Sequence, residues 1–216
     1  ASLEDMIDGL ETRVNDRTMD LQRQAVRLRA AAEMSRDAAS ATSVEDLLSR
    51  SAELIGERFG LYHVAIYLLD NNRESLVLKA ATGEAGRLML QTDFRIRGGE
   101  GLVARGAQTG EPQLAGDSSH EAPQGRNALL PGTRSELCLP LKTYSVLIGA
   151  LDVHSDQLNA FSEDDMAVLR LMADQVSTAI ERTRIMQDSE RTLRGLQRCS
   201  SEYARESWQV IVRTGS

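Results

Sequence analysis

The apolar positions of this chain change period several times, and each change marks an element. Between Ser135 and Arg182 the changes are sharpest. Leu137, Leu139 and Leu141 alternate with Glu136, Cys138 and Pro140, a period of two that predicts a strand with two different faces. Lys142, Thr143 and Tyr144 interrupt it, and Val146 to Val153 predicts a second apolar strand carrying Gly149. After the loop 155–160, Phe161 precedes Ser162, and Asp165 stands three residues on. That spacing approaches a capping box, with Glu163 and Asp164 adding negative charge to the positive end of a helix. Leu169, Met172, Ala173, Val176, Ala179 and Ile180 then fall on one stripe at helical spacing. Two antiparallel strands feeding a long helix are expected.

Upstream, Thr42-Ser43-Val44-Glu45 offers an N-cap, and Leu47, Leu48, Ala52, Leu54 and Ile55 predict a helix ending near Phe59-Gly60. Val64 to Leu69 and Ser75 to Ala81 read as strands joined by the turn Asp70-Asn71-Asn72. A third short strand is expected at Thr92 to Ile96, and a short helix at 101–108 after Gly98-Gly99-Glu100-Gly101. The Gly99-x-Gly101 pair is no phosphate loop, because no βαβ unit surrounds it. Residues 113–134 hold His120, Arg126 and a punctuation of glycine and proline.

Both flanks carry heptads. Ile7, Val14, Leu21 and Leu28 fall at one core position of residues 3–38; Leu3, Leu10, Ala31 and Ala38 fall at the other, with Arg17 and Gln24 as polar interruptions. About five heptads exceed what a domain of this size can cover, which predicts a parallel coiled coil. The helix from Ser162 is expected to reach about Val210, its seam of Met186, Ser189, Leu193 and Leu196 weakened by serine. The organisation expected is a signalling helix at 1–42, a domain at 43–182, and a C-terminal helix at 183–216 leading to an output domain. Homodimerisation through both flanks is expected with it.

At Pro140-Leu141, Ile148-Gly149-Ala150-Leu151 and Phe161-Ser162-Glu163-Asp164-Asp165 the chain resembles the C-terminal half of a GAF domain. Gly101-Leu102-Val103-Ala104 and Thr109-Gly110-Glu111-Pro112 resemble the family's middle helix and the turn after it. Leu10 to Leu21 is similar to the signalling helices of bacterial receptors. The resemblance covers residues 43–182. It implies an α+β, PAS-like antiparallel sheet of five to six strands with helices on both faces, acting as a signal-input module of a bacterial sensor protein. It also implies a small-ligand pocket between the sheet and segment 113–134. The ligand-binding candidates are His120, Arg126 and Cys138 as polar residues near it, and Arg95, which like Arg126 could meet an acid. Haem, bilin and cyclic nucleotide find no firm signal. The cyclic-nucleotide pattern keeps Phe161 and Asp165 but has Met166 where the family carries glutamate. GAF-type methionine sulfoxide reductases use several cysteines, and this domain holds Cys138 alone.

Composition narrows the picture further. The 216 residues are 41% hydrophobic, enough for a core, and carry a net charge of -7 with a pI near 5.1. No basic cluster stands out, so a nucleic-acid face is not expected. Aromatic residues make up 4%, which leaves few stacking partners for a large planar chromophore. Cys138 and Cys199 show no metal-ligand spacing and fit a reducing, cytoplasmic setting. No apolar run approaches the ~20 residues of a membrane span. Neither a Ser/His/Asp arrangement nor paired carboxylates with a nearby histidine can be picked out. A non-catalytic domain is expected.

Overall fold

A computed structural model describes the backbone of residues 43–97, 101–117 and 127–214. The N-terminal heptads, His120 and Arg126 lie outside the described residues. Helix α1 spans Val44–Phe59; the Ser43 hydroxyl accepts a hydrogen bond from the Asp46 amide at 3.1 Å, and Gly60 ends the helix in the left-handed region at φ 59°. Strands β1 (His63–Leu69) and β2 (Ser75–Ala81) form a hairpin whose turn is held by Asp70.

The next element departs from the expectation. Residues Gly83–Gln91 form a helix, α2, and the third strand, β3, is confined to Arg95–Arg97. Thr92, expected to open that strand, instead closes α2, its hydroxyl donating to the Met89 carbonyl at 3.0 Å. Two glycines within nine residues mute the helical pattern, but one of them has a packing reason. A Cβ on Gly86 would stand 2.8 Å from the Ala81 backbone, so only glycine lets α2 fold back onto the end of β2.

Helix α3 (Leu102–Thr109) runs between Gly101 and Gly110, both at positive φ, and β4 (Gln113–Ala115) comes after it. Strands β5 (Ser135–Thr143) and β6 (Val146–Ser155) pair through a tight turn with Tyr144 and Ser145 at positive φ. Helix α4 starts at Glu163 and runs to Thr214. At its head the Asp165 amide donates to the Ser162 hydroxyl at 3.2 Å while the Ser162 amide donates to the Asp165 carboxylate at 3.1 Å, the reciprocal capping expected. From Ile180 onward the chain forms a unit of its own, helical to Thr214, with Ile185 57% and Met186 65% exposed.

The six strands make one antiparallel sheet in the order β3-β2-β1-β6-β5-β4. At its centre β1 and β6 approach closely: a Cβ on Gly149 would lie 2.1 Å from the Tyr67 carbonyl oxygen. One face carries a core of Ala65, Tyr67, Leu76, Leu78, Cys138 and Ala150, closed by Met89 of α2, Leu102 and Val103 of α3, and Leu130. No member of that cluster comes from α1 or α4. Their buried stripes, Leu47, Leu48, Ala52 and Ile55 on α1 and Leu169, Met172, Ala173 and Val176 on α4, therefore lie on the opposite side, where Leu137, Leu139, Leu141, Leu151 and Val153 are also buried. Helices cover both faces, and the strand alternation read from the sequence separates the two cores.

Candidate functional site

The face bearing Cys138 is apolar at one end and polar at the other. Antiparallel pairing sets Glu136 of β5 beside His154 of β6, and His154 beside His63 of β1. One pair further along, Cys138 faces Asp152, and Asp152 faces Ala65. Directly opposed residues share a face, so two rows cross the sheet: Glu136–His154–His63 and Cys138–Asp152–Ala65. Asp152 is 3% exposed, His154 5% and His63 1%. Donor atoms of Glu136, Asp152 and His154 all lie within 4.8 Å of one another.

Each imidazole is held in a defined state. The rings of His63 and His154 are tilted, with centroids 5.5 Å apart. His63 Nδ1 contacts the Thr82 carbonyl oxygen at 2.9 Å; a carbonyl only accepts, so Nδ1 carries the proton. Burial, aided by His154, pulls the His63 pKa down to about 4, against the weaker pull of Asp152 the other way. The ring is neutral, and its Nε2 lone pair is buried without a hydrogen bond. His154 contacts Asp152 Oδ2 through Nε2 at 2.8 Å and the Thr133 hydroxyl through Nδ1 at 3.2 Å. Burial pulls its pKa down too, but the Asp152 charge and hydrogen bond, with Glu136 behind them, carry it above the ordinary value.

Asp152 Oδ1 is also buried with no hydrogen-bond partner. Leaving a buried polar atom unpaired costs about 1–3 kcal/mol, and more if it is charged. Two such atoms, one on Asp152 and one on His63, therefore lie on the same face of the sheet. Around them, burial and the Asp152 and Glu136 charges raise the Tyr67 phenol and the Cys138 thiol well above their usual pKa, so both stay protonated. Arg105 of α3 opposes that shift at Cys138 without cancelling it.

The segment after β4 covers this face where it is described. Leu130 enters the apolar cluster, Asn127 Nδ2 donates to Met89 Sδ at 2.9 Å, and Thr133 meets His154. Of the four ligand candidates, Cys138 sits on this face, fully buried, and His120 and Arg126 lie outside the described residues. Arg95 is placed elsewhere. It stands on edge strand β3 opposite Val77, which faces away from the Cys138 cluster, and it pairs with Asp93, its Nε donating to Oδ2 at 2.9 Å. Three strands separate it from β5. The structure does not bring Arg95 to the site.

Sequence reasoning found no paired carboxylates with a nearby histidine, and here the structure corrects it. Glu136, Asp152 and His154 form such a group, with His63 adjoining. The available signal was the i, i+2 spacing of Asp152 and His154 within one strand. It became a cluster only through the register that adds Glu136.

A six-stranded antiparallel sheet in this order, with helices on both faces and a cluster of buried polar side chains on one of them, defines a GAF-like α+β module. The chain belongs to the GAF family: the family model described as GAF domain matches residues 41–181. GAF domain-containing protein A of Dictyostelium discoideum is 33% identical over 118 residues, 55% of this chain and 69% of that protein. Among solved structures, free methionine-R-sulfoxide reductase from Neisseria meningitidis, in complex with its substrate, is similar at 26% identity and a TM-score of 0.65, over 75% of this chain and 92% of its own. The GAF domain of an Acinetobacter phosphoenolpyruvate-protein phosphotransferase shares the fold at 23% identity and a TM-score of 0.61, over 74% and 95%. The antiparallel α+β fold and the GAF assignment both hold. Among the described residues, no helix is long and apolar enough to cross a membrane.

Proposed function

We infer that residues 43–182 form a signal-input domain that binds a small ligand on the Cys138 face and passes the change to the helices flanking it in a homodimer. The observation that carries this reading is Asp152 Oδ1, a buried acceptor with no partner beneath a covering segment. Such an atom is costly when left unpaired, and a ligand reaching it would satisfy it. His120 and Arg126, which precede the covering residues in sequence, are the further contacts proposed, together with Cys138 on the face itself. Arg95, on the other face, is left out.

The dimer reading is supported by the length of α4 and by Ile185 and Met186, exposed on it. The division into 1–42, 43–182 and 183–216, the cytoplasmic setting and a bacterial two-component context belong to the same proposal. The domain is read as non-catalytic. The Neisseria relative is a reductase, but Cys138 is the one cysteine between 43 and 182, and a buried thiol held protonated is a poor nucleophile.

A thermal-shift screen of small acids, bases and metabolites on residues 1–216, with light scattering at about 10–50 μM, tests this. The expected result is a dimer and a stabiliser whose effect is lost in Asp152→Asn. A dimer that no compound stabilises is a structural spacer relaying an upstream signal. A monomer removes the relay altogether.

A further inference from the structure

The polar end of the Cys138 face offers a set of donors that matches a metal ion better than it matches a metabolite. Imidazole nitrogen and carboxylate oxygen converge from two neighbouring strands: Glu136 on β5, Asp152 and His154 on β6. We propose that Glu136, Asp152 and His154 bind a divalent transition-metal ion of the zinc and cobalt class, leaving a coordination position open on the covered side of the sheet. This rests on the reading of that face as a ligand pocket and names the ligand.

Three observations support the assignment independently of one another. The first is spacing. Tetrahedral bonds of about 2.0–2.1 Å put ligand atoms roughly 3.4 Å apart, and these donors already lie within 4.8 Å. The movement needed falls on Glu136, the least buried of the three and the longest side chain. The second is the unmet valence. Asp152 binds His154 with one oxygen and nothing with the other, although Arg105 is near enough to influence Cys138. An ion inserted between Asp152 and His154 would take the place of the proton they now share. The third is the outer support that metal-binding histidines need to fix tautomer and ring orientation. Thr133 contacts His154 Nδ1, so the ring is already oriented with Nε2 toward the carboxylate. His63, one strand over, has its Nδ1 proton tied to the Thr82 carbonyl; it is not among the donors that lie within 4.8 Å of one another and is not counted as a ligand.

The donor chemistry limits which ion fits. One imidazole with two carboxylates suits zinc, cobalt, nickel or iron in the divalent state; calcium and magnesium prefer all-oxygen sets of six or more. Cys138 lies on the same face, one pair along from Glu136. It packs against Gly106, whose Cβ position is 2.8 Å from Sγ, and so is turned toward α3. It is not counted as a ligand. Because the donors lie at the centre of the sheet and under residues 127–134, filling the site would tie β5, β6 and the covering segment together.

The test uses residues 1–216 stripped with a chelator and titrated by calorimetry with zinc chloride, and by absorbance with cobalt chloride. The expected result is one ion per chain, with at least tenfold weaker binding in His154→Gln and in Asp152→Asn. Glu136→Gln, at a half-buried position, should keep the fold by circular dichroism and still weaken binding, so a folding failure in the other two cannot hide the result. The cobalt spectrum should show four- or five-coordinate ligand-field bands and no thiolate charge-transfer band. The assignment is overturned by no binding, by equal affinity in wild type and Glu136→Gln, or by a thiolate band. Stabilisation by ammonium chloride but by neither metal overturns it as well, leaving the pocket as a site for a hydrogen-bonding cation. In that last case the ligand-pocket reading survives. If metal binds as expected but leaves the output of the full-length protein unchanged, the metal site stands and the sensory reading fails.

Discussion

Gly106 of α3 lies so close to Cys138 of β5 that a methyl group on the glycine would stand 2.8 Å from the thiol sulfur. The other neighbours of that position are at ordinary contact distance, the nearest being 3.7 Å away. Two effects therefore compete in Gly106→Ala. Alanine favours the helix by ~1 kcal/mol, while forcing a methyl into a filled core costs typically ~1–3 kcal/mol. With Cys138 present the clash wins, and a net loss of about 1 kcal/mol is expected in urea denaturation. In a Cys138→Ala background the obstruction is gone and the same substitution should stabilise by up to ~1 kcal/mol. A destabilisation of equal size in both backgrounds would mean that α3 does not pack on Cys138.

The same contact governs reactivity. With Cys199→Ser as the parent, Cys138 should react with a thiol reagent only as fast as the protein unfolds, since the thiol is buried and held protonated. Rapid labelling of the native protein would contradict both its burial and the non-catalytic reading.

Much of the fold could be read from pattern alone, because β5, α1 and the head of α4 each show one period and β6 opens as an unbroken apolar run. Helix α2 could not. Gly83 and Gly86 lower its propensity, and the reason for Gly86, its approach to Ala81, exists only in three dimensions. The site was hidden for a subtler reason. The turn at Tyr144 and Ser145 pairs Thr143 with Val146 and Lys142 with Leu147, and continuing that register would set Glu136 opposite Val153. An irregularity between Leu141 and Lys142 shifts the pairing by one residue, so Glu136 meets His154 instead. A one-residue shift exchanges the faces of a strand. No periodicity in either strand announces it, yet it decides that the two carboxylates and the histidine share one face. Strand phase likewise decides where Arg95 stands: its charge made it a candidate, and its register opposite Val77 puts it on the other face from Cys138.

Helix α4 should depend on its reciprocal cap. The Ser162 hydroxyl serves the Asp165 amide, and the Asp165 carboxylate returns to the Ser162 amide. Ser162→Ala is expected to cost about 1 kcal/mol, within the usual range for a lost N-cap. Asp165→Ala should cost a similar amount, and the double variant less than the sum, because either change breaks the pair. Additive losses in thermal unfolding would show that the two bonds act independently.

Asp70 gives the β1–β2 turn an acid-sensitive hold. Its carboxylate accepts from the Ser75 hydroxyl at 2.6 Å and the Glu74 amide at 2.9 Å, and these bonds lower its pKa from the model-compound value of 3.8. A carboxyl depressed in the folded state binds fewer protons there than in the unfolded chain, so its contribution is present above the unfolded value. It is lost as the pH falls through the folded one. Ser75→Ala removes the largest cause of the shift, and its urea midpoint should fall less steeply below about pH 4 than that of the wild type. Parallel acid limbs would remove Asp70 from the account.

The relay proposed through α4 makes a sharper demand, because a dimeric seam has an angular phase. In an α-helix one inserted residue turns everything beyond it by ~100°, whereas seven residues nearly restore the starting face. Arg184 precedes Ile185 and Met186, the exposed apolar residues of the trailing helix, so an insertion directly after it leaves the GAF domain intact and rotates only the helix beyond. In the full-length protein with its native output, one added residue should lock or abolish signalling, and seven should be largely tolerated. A sensor and a spacer both require this, since each transmits through the helices. Equal tolerance of the two insertions would make α4 a slack tether and end the relay proposal. If phase matters, deletion of residues 118–126 divides the two modes: a sensor loses its response to ligand, while a spacer still passes on the upstream signal.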